Sequence, residues 1–163
     1  MNKRDKDLGE AALRHLCLGT QIVGVRWFGH TLVIDMEYGI GTLNQGVAEH
    51  NLQLTVESRW IIFSTKPDQF PEAEENLPDL SLEERVALLA RLADQKIVEV
   101  TLGDRHPHLI LTFEAGSVFF LNGFHEKYEC WNVATVDDVD DDDWLVVAVP
   151  GSAIGLFIPP GFA

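Results

Sequence analysis

Apolar positions recur at helical spacing in two places. Ala12, Leu13, Leu16 and Cys17 fall on one side of a segment that Gly19 closes, and Asp7 with Glu10 three residues later predicts its start. The second helical stretch begins at Ser81, whose hydroxyl and the Glu84 carboxylate form a capping-box pair. In it Val86, Leu89, Ala90 and Ala93 share a face that Leu88 and Leu92 broaden, with Arg85 and Arg91 at the rim. Elsewhere the period is two. Ile22, Val25 and Trp27, then Leu32, Ile34 and Met36, predict strands paired around "FGH". Leu109, Leu111 and Phe113 are expected to meet Val118 and Phe120 across "EAG", and "WLVVAVPGSAIGLFIP" reads as two further strands joined by "PGSA". Gaps of hairpin length leave no room for crossover helices, so the pattern predicts an α+β protein with mainly antiparallel sheet.

The alternation repeats itself. "LVIDMEYG" (32–39) matches "LILTFEAG" (109–116), "TQIVGV" (20–25) matches "QKIVEV" (95–100), and "TVESRWIIF" (55–63) resembles "EKYECWNVA" (126–134), in the same order each time. An internally duplicated helix-strand-strand-strand unit is therefore expected. Residues 1–65 would be the first repeat, 66–80 a linker, 81–135 the second repeat, and 136–163 an acidic loop with an extra C-terminal hairpin. The expected linker, "KPDQFPEAEENLPDL", holds three prolines and five acids without an apolar period. Each unit is too small for a secure core of its own, so one compact domain is expected.

Charge narrows the partners. The chain carries 26 acidic against 12 basic residues, a formal net charge of -14. Such a field repels phosphate backbones and anionic membranes, so direct nucleic-acid or membrane binding is not expected. The apolar runs are too short to span a bilayer. The N-terminus lacks the apolar core and cleavage site of a signal peptide, which points to a cytoplasmic setting. Cys17 and Cys130, the two cysteines, read as buried thiols.

Catalytic chemistry finds little footing. No nucleophile elbow, phosphate loop or dinucleotide fingerprint is present, and no cofactor is implied. His106 and His108 in "HPH", joined by His125, are the candidate ligands of an alternative reading as a metal-dependent or small-ligand enzyme; they read better as a hairpin loop. A structural homodimer is a further alternative. The most conspicuous feature is "VDDVDDDDW", six aspartates within seven residues. It lacks the glycine and terminal glutamate of a calcium loop. It predicts an exposed acidic edge for a basic protein surface, formed by Glu126, Glu129, Asp137, Asp138, Asp140, Asp141, Asp142 and Asp143, with Tyr128, Trp131 and Trp144 as aromatic anchors.

On "LQLTVESRWIIF", "LILTFEAGSVFFLN" and "HEKYECWNV" the chain resembles a loose group of small bacterial α+β domains, some of them immunity proteins of polymorphic toxin systems. The resemblance implies a compact binder without catalysis. A basic, nuclease-like toxin as the partner would suit the acidic balance.

Overall fold

The computed structural model describes residues 1–38, 51–136 and 143–162. These residues form two α-helices and ten strands in two antiparallel sheets. In chain order they are α1 (Lys3–Cys17), β1 (Thr20–Phe28), β2 (Thr31–Tyr38), β3 (Leu52–Val56), β4 (Trp60–Phe63), α2 (Leu82–Ala90), β5 (Ile97–Leu102), β6 (Leu109–Phe113), β7 (Val118–Leu121), β8 (Trp131–Thr135), β9 (Leu145–Val149) and β10 (Ala153–Phe157). The larger sheet runs β1-β2-β3-β8-β9-β10 and the smaller β4-β7-β6-β5. Three consecutive strands of each half lie side by side, and the fourth crosses over. β4 leaves β3 to pair with β7, and β8 leaves β7 to pair with β3.

The crossing is reciprocal residue by residue. Trp60 stands opposite Leu121 and Trp131 opposite Val56. The Asn122 N–H donates to the Arg59 carbonyl, and the Glu57 N–H to that of Cys130. β1 and β5 are bulged at matched places, Ile22/Gly24 and Ile97/Glu99, each against its next strand. Where the two sheets touch, Gln21 bridges Lys96. One buried cluster takes residues from both sheets and both helices, including Leu13, Ile34, Leu54, Leu92, Phe113, Phe119 and Trp131.

Local chemistry explains the helices. The α2 cap forms as its sequence predicts: the Glu84 N–H donates to the Ser81 hydroxyl, and the Ser81 N–H to the Glu84 carboxylate at 2.7 Å. Ser81→Ala is expected to cost about 1 kcal/mol in urea unfolding. α1 starts four residues earlier than Asp7, because Asn2 Oδ1 accepts the Asp5 N–H at 2.9 Å. Gly19, at φ 83°, follows the helix in the left-handed region where a side chain would be strained. The inward face of α2 is also turned from the expected one. Leu89 and Leu92 are buried, whereas Val86, Ala90 and Ala93 are exposed.

The strands bring two corrections. Thr112 pairs with Val118 and Ile110 with Phe120, so Leu109, Leu111 and Phe113 share their face with Phe119 and Leu121 instead. The expected linker is not simply exposed. Leu77 is buried and Phe70 stacks on Phe120, forming with Ile110 and Val118 a second small core beneath the 66–80 segment. The "FGH" turn joins β1 to β2 with Ile22, Val25 and Trp27 opposite Met36, Ile34 and Leu32, as expected. β9 and β10 form a hairpin. No helix among the described residues is long and apolar enough to cross a membrane.

Candidate functional site

The predicted acidic edge is divided by the fold. Glu126, Tyr128 and Glu129 lie exposed in the loop before β8, and Asp143 lies exposed before β9. The two groups flank opposite ends of β8, whose five residues extend roughly 16 Å. Asp137, Asp138, Asp140, Asp141 and Asp142 fall outside the described residues. Both tryptophans proposed as anchors are core residues. Trp131 is 1% exposed and its indole N–H donates to the Pro107 carbonyl at 2.8 Å. Trp144, 6% exposed, stacks on His15 and meets Phe162 edge-on. Neither ring reaches the surface; of the three aromatic residues only Tyr128 is exposed.

The fold also assembles a surface that the sequence pattern did not reveal. A polar cleft of about 170 Å³ lies beside β4, lined by Glu57, Arg59, Glu74, Asp79, His30 and Arg85 among others. The 66–80 segment forms one wall. Glu74 Oε1 accepts the Arg59 N–H at 2.9 Å, and the Arg59 guanidinium donates to the Leu77 carbonyl at 3.4 Å. The other wall is the turn between β3 and β4, fixed by the buried Ser58 hydroxyl donating to the Asn122 carbonyl at 2.6 Å. Among the described residues no ion pair involves Glu57, Glu74 or Asp79. The Tyr128 hydroxyl feels this field: partial burial, then the Glu74 charge, raise its pKa above the ordinary value, against a smaller opposing effect of Arg59. The ring itself is held by stacking on His125 at 3.3 Å. A signal was available in "PEAEENLPD", where Leu77 is the one large apolar side chain in an acidic, proline-bounded run.

His106 and His108 lie with their rings 5.5 Å apart, and the Nδ1 atoms of all three candidate histidines are engaged elsewhere. His108 is 7% exposed, and its Nδ1 accepts the Gly123 N–H at 3.0 Å. Burial, followed by the neighbouring His106, pushes its pKa down to about 4, so the ring is neutral. His106 shares a 2.6 Å hydrogen bond with Ser152 and packs on Phe124, while His125 accepts the Lys127 N–H. Gly123 is required here, since a Cβ would lie 1.9 Å from the Pro107 carbonyl oxygen. Among the described residues no three His, Cys, Asp or Glu side chains gather as metal ligands. Both thiols are free and buried, and burial pushes each up to about 12, far from a reactive thiolate.

Comparison of the chain with family models, with curated proteins and with solved structures returned no match. The residues around the cleft therefore carry the functional reading by themselves.

Proposed function

We propose that this protein is a non-enzymatic binding module, of the kind represented by immunity and inhibitor proteins, that neutralises a protein with a basic surface. The supporting observation is the cleft: Glu57, Glu74 and Asp79 line it with Arg59 and Arg85 and make no ion pair among the described residues, the Glu74 charge acts on the Tyr128 hydroxyl, and Tyr128 lies exposed between Glu126 and Glu129 in one loop. A rigid aromatic ring inside a charged rim suits an interface, and the net charge of -14 favours approach of a cationic partner. The engaged Nδ1 of His108 and the raised thiols favour binding over the alternative of metal or nucleophilic chemistry.

The same reading includes an internal duplication. Its supports are the matched bulges, the reciprocal Trp60–Leu121 and Trp131–Val56 pairs, and the exchange of fourth strands, with β9 and β10 as the addition to the second copy. A reducing, cytoplasmic setting accords with two free buried cysteines.

The test is co-expression with the products of adjacent genes and capture on a tag. A basic partner is expected to co-purify and to dissociate progressively between low and high salt. Capture of no neighbour, or a complex indifferent to salt, would remove the proposal.

A further inference from the structure

β1 is an edge strand, and an apolar groove of about 440 Å³ separates it from α2, lined by Ile22, Val25, Trp27, Val86, Leu89 and Ala90 among others. The matched edge of the other sheet shows how this fold closes such a strand. On β5 the Arg14 guanidinium donates to the Val100 carbonyl at 3.0 Å, and the Leu102 N–H donates to the Glu10 carboxylate at 3.1 Å. α1 thereby satisfies the outward backbone groups of β5.

β1 holds the same register on β2 that β5 holds on β6: Val25 faces Ile34 as Val100 faces Leu111, and Trp27 faces Leu32 as Leu102 faces Leu109. The backbone groups of Val25 and Trp27 therefore point outward as those of Val100 and Leu102 do. Among the described residues no hydrogen bond reaches them from α2, and Val23, Val25 and Val86 remain 55%, 38% and 49% exposed. Outward N–H and C=O groups along an edge recognise an extended backbone, and a neighbouring apolar groove takes its alternate side chains.

Charge selects the occupant. A second copy would bring -14 against -14. Locally, Glu83 shares a helix face with Val86 and Ala90, and Asp94 follows it, so an exposed carboxylate stands toward each end of that face. Of the nearby cations, Arg26 is paired with Asp35, whereas the Arg85 guanidinium lies 5.9 Å over the Trp27 ring, Arg91 lies one position off the face and Lys96 bridges Gln21. The charge of the whole chain, -14, rather than the local balance therefore favours a basic occupant. We propose that the β1 edge and its groove bind an extended segment of a basic protein by strand addition, with apolar side chains entering the groove and alternate Lys or Arg side chains outside. The proposal rests on the basic-partner reading and adds a second contact to it.

The probe is a labelled nine-residue peptide of alternating Val and Lys, followed by fluorescence anisotropy at low salt. Binding is expected to weaken at least fivefold in Val25→Arg and in Val86→Arg, both changes at exposed positions, with folding checked by circular dichroism. A Val–Glu peptide, and a Gly–Lys peptide of equal charge, should bind at least fivefold more weakly than Val–Lys. Equal binding of either control, absence of Val–Lys binding, or a homodimer broken by Val86→Arg in light scattering would overturn the proposal. A Glu57→Gln/Glu126→Gln/Glu129→Gln chain separates the two sites: loss of the peptide there but not in Val86→Arg overturns strand addition and leaves the acidic cleft standing.

Discussion

Trp131→Ala is expected to lose about 3–5 kcal/mol of stability, read as a lower urea midpoint. The ring is 1% exposed at the start of β8, the strand that crosses from one half into the sheet of the other, and it packs in the shared core. Removing it opens a cavity at the seam and leaves the buried Pro107 carbonyl without its indole donor. Trp131→Phe isolates the second effect, since it keeps most of the apolar bulk, and is expected to cost about 1–3 kcal/mol. If both variants matched the wild type within 0.5 kcal/mol, Trp131 would not hold the seam.

Acidification supplies the second large effect. His108 is folded as a neutral ring with its pKa lowered to about 4, against an ordinary value near 6.5. As pH falls through about 6.5 the unfolded chain takes up the proton first. The stabilisation is therefore full above that value, is lost between about pH 6.5 and 4, and levels off below. The shift corresponds to stability on the order of 3 kcal/mol. Unfolding free energies from pH 7.5 to 4.5 check it. His108→Asn should flatten that slope relative to the wild type, and a parallel slope in the variant would assign the loss to other groups.

Local structure was legible where a short-range signal decided it. Ser81 and Glu84 can satisfy each other's backbone whatever packs above them, and the "FGH" turn fixes the register of β1 on β2. The exchange of β4 and β8 was not legible, because Leu54 or Phe119 alternates identically whichever strand lies alongside. The face of α2 was misjudged for a related reason: apolar residues at 86–90 and 92–93 surround most of the helix, so the neighbours choose which side is buried. Trp131 and Trp144 looked like surface anchors beside Glu129 and Asp143, yet both stand where an exposed segment turns into the core, Trp131 after the buried Cys130 and Trp144 just before β9, and charge nearby in sequence says little about exposure. The cleft escaped notice because its carboxylates come from two separate segments, the turn after β3 and the 66–80 chain, and the packing of Leu77 that brings them together is not readable from their spacing.

The central claim is that the surface around the cleft recognises positive charge. Calorimetric titration of the captured partner against the wild type and against the Glu57→Gln/Glu126→Gln/Glu129→Gln chain tests it most directly, at low and at physiological salt. The expected result is an affinity about tenfold weaker for the variant at low salt, with a shallower salt dependence. Equal affinities and parallel salt dependences in the two chains would contradict it.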